Sequence, residues 1–220
     1  SPAMHAVLDL VERVAPTEMP ELERWVLHRL AEMDEVVRRT AAAYDFHTMF
    51  TELHNFCAVD LSAFYFDVRK DALYCDRPDA PRRRAARTVL DRVFDCLARW
   101  LAPVLCFTAE EAWLVRHGDA PEVSVHLEDY PAVPADWRDE ALGAKWMRLR
   151  DLRRVVTGAL EIERAQKRLG ASLQGAARLF VPESYRAALA GVDPAELWIT
   201  SEGTVAFSAP PAGAFALAEV

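Results

Sequence analysis

The run Leu101-Ala-Pro-Val-Leu-Cys-Phe-Thr-Ala-Glu-Glu-Ala-Trp113 constrains the fold of this chain more than any other segment. Upstream of it, Ala85/Ala86, Val89/Leu90, Val93/Phe94, Leu97 and Trp100/Leu101 recur at helical spacing, which predicts a long amphipathic helix over 82–102. Pro103 has no N–H to donate and clashes with the preceding turn, so that helix must end or kink there. Thr108, followed by Glu110 and Glu111, then leads a short helix carrying Trp113, with the acids complementing its N-terminal dipole. The result is a sharp helix–proline–helix corner with an aromatic plug.

Two more helical stripes precede it. Leu22, Trp25/Val26, Leu30, Met33, Val36/Val37, Ala41 and Tyr44 mark a helix over 21–45. Phe50, Leu53, Cys57, Leu61 and Phe64/Tyr65 mark another over 47–66 that runs on towards Lys70. The block Asp76–Pro81 is a loop, since its two prolines cannot share one helix. Three long helices and a short one joined by modest loops predict an antiparallel bundle. Gly118, Pro121, Pro131 and Pro134 break the periodicity, and Ser124–Leu127 reads as a short extended piece. Asp136 then opens a long helix through Trp146, Leu149, Leu152, Val155/Val156, Leu160 and Ile162, with Gly170 as its C-cap. Beyond it, Ala177–Val181, Leu197–Thr200 and Thr204–Phe207 read as strands, and Pro182–Ala190 as a short helix. The expected fold is mostly α: a helix and linker over 1–20, a helical bundle over 21–130, and a long helix plus a small mixed α/β unit over 136–220.

At 52% hydrophobic and a net charge of −8, the chain can bury a sizeable core and stay in solution. No apolar run reaches the ~18–20 residues of a membrane span. Cys57, Cys75, Cys96 and Cys106 match no metal spacing. Cys96 and Cys106 lie among apolar neighbours, so buried thiols in a reducing cytoplasm are expected. The six histidines form no HExxH, and the eight glycines form neither a P-loop nor a dinucleotide fingerprint. Glu110 and Glu111 are adjacent and cannot face one another on a helix, so they are not an acid–base pair. No catalytic or metal-ligating residue is therefore assigned.

Binding chemistry is better represented. Phe64, Tyr65 and Phe66 are consecutive and cannot all face one core, so at least one is exposed or meets a second interface. Arg69, Lys70 and Tyr74 follow, then the proline loop, then Arg82-Arg83-Arg84. Cations and an aromatic gathered between two helices suit a phosphate-and-base site. The three arginines also oppose the dipole of the helix they begin, which points to an anionic partner; pairing with Asp76, Asp79 or Asp91 is the plainer account of them. Trp25, Trp100, Trp113 and Trp146 lie on apolar stripes, which suits core packing, although a tryptophan at a rim can stack on a base.

These segments resemble one family. The corner is similar to the LAP-x-x-x-FT-x-EE-x-W pattern of class Ia aminoacyl-tRNA synthetases. Asn55–Cys75, the SVHL at Ser124–Leu127 and Leu160–Leu173 resemble the C-terminal region of bacterial-type isoleucyl-tRNA synthetases, in family order over roughly residues 21–175. The HIGH and KMSKS motifs and the editing domain of that family are absent, as is the four-cysteine zinc module that ends many of its members. Leu169 and Gln174 stand where the family more often has Ile and Glu. The resemblance implies an excised anticodon-binding region that cannot activate isoleucine by itself and needs no cofactor of its own. ATP and Mg would serve the parent enzyme. The implied partners are the anticodon stem-loop of isoleucine tRNA and the catalytic domain of the same parent chain, for a cytoplasmic monomer. By analogy within class Ia, the contacts fall on Trp25, Arg29, Arg69, Lys70 and Tyr74, with Arg82, Arg83 and Arg84 on the backbone; Asp60, Pro103, Phe107 and Trp113 take structural roles. A protein-interaction module without RNA binding is the alternative.

Overall fold

A computed structural model describes residues 13–217. After a 3-10 turn at Pro16–Glu18, the helices are α1 (Glu21–Ala42), α2 (Phe46–Asn55), a π-helical segment (Phe56–Phe66), α3 (Lys70–Tyr74), α4 (Pro81–Leu101) and α5 (Cys106–His117). Two further 3-10 turns, Val125–Leu127 and Ala135–Trp137, lead to α6 (Glu140–Ala165). Then come β1 (Ala176–Phe180), α7 (Arg186–Leu189), α8 (Pro194–Trp198) and β2 (Glu202–Ala206). The chain is mostly helical, as the periodicities predict. The short helix read before Pro16 lies outside the described residues.

Two compact units arise. The first holds the chain up to Tyr65 together with Arg69–Asp139; the second holds Phe66–Val68 and the chain from Glu140 on. In the first, α1 packs on α2 and α4, and α4 on α3 and α5. Helix α1 starts with Glu21 and Glu23 in its first turn, where acids favour the helix dipole. It stops at a left-handed Tyr44, φ 55°, with the Asp45 amide donating to the Thr40 carbonyl at 2.8 Å. Asp45 in turn accepts from the Thr48 amide and caps α2. Helix α4 opens on Pro81, whose ring fixes the φ a helix needs and whose missing N–H costs nothing there. The predicted stop before Pro103 is present: α4 ends at Leu101. Helix α5 begins earlier than Thr108, at Cys106, without a side-chain cap, and ends at Gly118, whose φ of 98° suits glycine.

The core of this unit joins Trp25, Leu30 and Val37 of α1 to Met49, Leu53, Phe56, Leu61, Phe64, Tyr65, Val89 and Trp100. A smaller cluster under the corner holds Ala98, Ala102, Ala109, Trp113 and Val125. Here the Trp113 ring lies between Phe94 at 6.3 Å and His117 at 4.0 Å. All four tryptophans read as core residues are buried. The stretch expected to continue as an ordinary helix to Lys70 instead widens into eleven residues of π-helix, a register frequent at functional sites. It also resolves the three adjacent aromatics: Phe64 and Tyr65 are buried in the first unit, while half-buried Phe66 belongs to the second.

In the second unit α6 buries Leu142, Trp146, Leu149, Leu152, Val156 and Leu160. Strands β1 and β2 pair in parallel, Ala176 opposite Glu202 through Phe180 opposite Ala206. Gly203 is needed here, because a Cβ would lie 2.7 Å from the Ala195 nitrogen. Several sequence expectations are corrected. Leu197–Thr200 is not a strand: Asp193 caps the Ala195 amide and Pro194 takes the first helical position, so this short apolar run ends α8 and turns at left-handed Ile199. Helix α6 starts at Glu140, not Asp136, and stops at Ala165, with Lys167 rather than Gly170 supplying the left-handed residue. Ser124–Leu127 forms a capped 3-10 turn rather than an extended piece. All four cysteines are free; Cys96 is buried as expected, but Cys106 and Cys75 are exposed. Burial, reinforced by Asp95 and Asp34, pushes the Cys96 thiol up to about 12.

Candidate nucleic-acid interface

The eight candidate contacts fall into three layers. Innermost are Trp25 and Arg69, 2% and 4% exposed. Trp25 meets the edge of Phe64 at 5.4 Å. Arg69 donates from Nε and Nη2 to the two carboxylate oxygens of Glu23, at 2.6 and 2.8 Å, and the Tyr65 hydroxyl donates to the same carboxylate at 3.2 Å. Glu23 is fully buried, so these bonds satisfy a charge that water cannot reach. Burial raises the Tyr65 phenol well above its ordinary value, the Glu23 charge adds to this and Arg69 opposes it. The phenol therefore stays a donor. Neither Trp25 nor Arg69 presents a face to a base or phosphate. They hold the first turn of α1 against the end of the π segment.

Arg29 forms the middle layer. Its Nε donates to Asp60 at 2.9 Å, and its Nη1 to Glu32. Burial would lower its pKa, but the two carboxylates outweigh burial and hold it above the usual value. Buried Asp60 thus takes the structural role read for it, tying the π segment to α1.

The outer layer is the surface. Lys70 is exposed and Tyr74 is 82% exposed, both on α3, whose N-cap is Arg69. Arg82, Arg83 and Arg84 are half-buried at the start of α4. Arg82 grips the Asp76 carboxylate with two bonds of 3.0 Å, and Arg83 donates to the Asp76 carbonyl. Arg82 and Arg83 thus pair locally, as the plainer account has it, on a helix that packs on α3, which carries Lys70 and Tyr74. Hydrogen bonds from Arg82 hold the Asp76 carboxyl below its ordinary value; slight burial opposes them, and the charges of Arg82, Arg83 and Arg69 add. A depressed carboxylate keeps its partner above the ordinary carboxylate pKa and loses it as pH falls through the lowered value. The Asp76 side chain is accordingly expected to titrate below the ordinary aspartate value in an NMR pH series. A titration at or above that ordinary value would contradict the pairing.

Sequence reasoning missed two exposed apolar groups. Tyr44 (82%), Phe46 (50%) and Phe50 (45%) project at the α1–α2 turn, although Tyr44 and Phe50 read as core positions. Tyr44 meets Phe46 edge-on at 6.2 Å, and Phe50 stacks with His54 at 6.2 Å. Phe46, Phe50 and His54 recur every fourth residue beside the buried Met49–Leu53 stripe, which is the signal that could have found them. The second group is the proline corner, where Phe107, expected to be structural, is 91% exposed. Glu110 is not simply a dipole residue. It accepts from the Ser124 hydroxyl at 3.0 Å and the Val125 amide at 2.9 Å, clamping that turn onto α5. No helix among the described residues is long and apolar enough to cross a membrane.

A family model described as the anticodon-binding domain of tRNA ligase matches residues 23–180. The chain is 54% identical to an isoleucine–tRNA ligase of Mesorhizobium japonicum over 95% of its own length and 21% of that protein's. It is 52% identical to the Agrobacterium fabrum isoleucine–tRNA ligase and 50% identical to that of Brucella abortus, again over 95% of this chain. It spans about a fifth of the length of these relatives. Because the match covers α1 through β1, more than half of its length, the chain belongs to the anticodon-binding domain family of tRNA ligases.

Proposed function

We propose that this chain is the region of an isoleucine–tRNA ligase that grips the anticodon stem-loop of isoleucine tRNA. The carrying observation is the exposed Lys70–Tyr74 turn, set beside Arg82–Arg84 on a chain of net charge −8. Local clusters of cations can attract an anion even on a protein of net negative charge. Tyr74 would stack on a splayed base, and Lys70 with the outer arginines would contact phosphates. Arg29, Trp25 and Arg69 then act from behind that surface. In the whole ligase, ATP and Mg would be handled by a catalytic domain outside these 220 residues, and this region would need no cofactor. Such a region fits a cytoplasmic monomer.

The test is a titration with isoleucine tRNA beside an anticodon-swapped tRNA. Preference for the natural anticodon supports base reading here, and equal binding reduces the region to a backbone grip. With about four phosphate contacts, affinity is expected to fall about 10²-fold between 50 and 200 mM salt. A flat salt response, or no binding to either tRNA, would overturn the reading in favour of a protein-interaction module.

A further inference from the structure

The sheet of the second unit has an open edge. Among the described residues β1 pairs with β2 alone. The Val181 amide donates to the Ala206 carbonyl at 3.0 Å. Successive residues of a strand turn their N–H and C=O groups to opposite sides, so Ala177 and Leu179 face β2 as Val181 does. Arg178 and Phe180 turn theirs outward, where no backbone partner meets them among the described residues. That edge opens onto a groove of about 680 Å³ between β1, one face of α6 and the segment ending at Leu217. Residues 176–182 all line it. Side chains alternate across a strand, so consecutive residues share one groove only where it runs along the strand's edge. The α6 wall is apolar, with Leu152, Val156 and Leu160. Phe215 and Leu217 both reach it: a Cβ on Gly158 would lie 2.9 Å from the Phe215 ring and 4.0 Å from a Leu217 methyl. This face of α6 therefore takes apolar side chains two residues apart, which is strand spacing.

Main-chain donors and acceptors beside apolar walls call for another main chain, since strand addition satisfies the first and buries side chains against the second. Charge then selects the strand. Leu179 is buried and Arg178 exposed, so residues of an added strand alternate between α6 and the outside. Arg178 lies 5.2 Å from the centre of the Phe180 ring and pairs with no carboxylate among the described residues. Glu163 also lines the groove, but from α6, and Arg168 holds it with bonds of 2.6 and 2.7 Å. Arg178 is the middle residue of β1. Two β1 edges joined antiparallel about a two-fold axis would set it against its own copy, and like charges directly opposite destabilise such a pair. A strand with a carboxylate at that place gains instead.

We propose that the outer edge of β1 is a strand-addition site for an extended peptide of a partner protein, with carboxylates on its outward face and aliphatic side chains towards α6. The test is residue-resolved amide hydrogen exchange of the 220-residue chain, with a synthetic peptide of alternating valine and glutamate as the probe. Without peptide, the Arg178 and Phe180 amides are expected to exchange fast and those of Leu179 and Val181 slowly. The glutamate peptide should slow Arg178 and Phe180 at least about tenfold and leave Leu179 unchanged. A valine–lysine peptide should do neither. Arg178→Glu should reverse the choice, so that only the lysine peptide protects Phe180, with the melting temperature of the chain unchanged. Arg178 and Phe180 amides that are slow in the chain alone, or that neither peptide slows, would overturn the proposal, as would equal protection by both peptides. So would protection that grows with protein concentration alone, which means a second copy, or protection by isoleucine tRNA and not by peptide, which means RNA.

Discussion

Glu23→Ala is expected to destabilise the first unit by about 3–5 kcal/mol, because it leaves Arg69 buried without its counter-charge. The measurement is the urea midpoint, followed by far-UV circular dichroism. Glu23 is fully buried and accepts three bonds, two from Arg69 and one from Tyr65. The double variant Glu23→Leu/Arg69→Met separates two causes. If the cost comes from the orphaned charge, the double variant should recover most of the loss, since well-packed apolar groups replace a buried ion pair at little cost. A double variant as unstable as the single one would place the cost in the packing of α1 instead. Arg69 is also the N-cap of α3. The single variant should therefore disorder the turn that displays Lys70 and Tyr74, and weaken tRNA binding even at temperatures where the unit stays folded.

Trp25→Ala should have a similar effect on stability, about 3–5 kcal/mol, and little separate effect on RNA. Its side chain is 2% exposed and its partner is Phe64, not solvent. Affinity corrected for the folded fraction should match the parent chain. Tyr74→Ala should do the reverse. An 82% exposed ring contributes little to folding, so melting should not change, while loss of one base stack lowers binding by about 1–3 kcal/mol. If Trp25→Ala instead lowered affinity while melting normally, the layered arrangement of these residues would be wrong.

Much of the helical scaffold was legible in the chain. Periodicity located α1, α4 and α6, and Pro81 and Pro103 set both ends of α4, because these signals are local: a side chain's angle around its own helix and a missing N–H act whatever surrounds them. The pattern Asp60–Tyr74 likewise marked the segment that carries the candidate site. Which members of that site reach solvent was not legible. Arg69 and Tyr74 are five residues apart and both read as contacts, yet one is held inside by Glu23, 46 residues away, and the other stands clear. Phe107 and Trp113 share α5 and one motif, yet only Trp113 finds a pocket, between Phe94 and His117. The eleven-residue π-helix and the left-handed Tyr44 also escaped the sequence, since tertiary packing rather than local preference selects them. Arginine and aromatic side chains serve equally well as buried anchors and as exposed contacts. The outcome depends on what distant segments bring to cover them, and only the folded chain decides that.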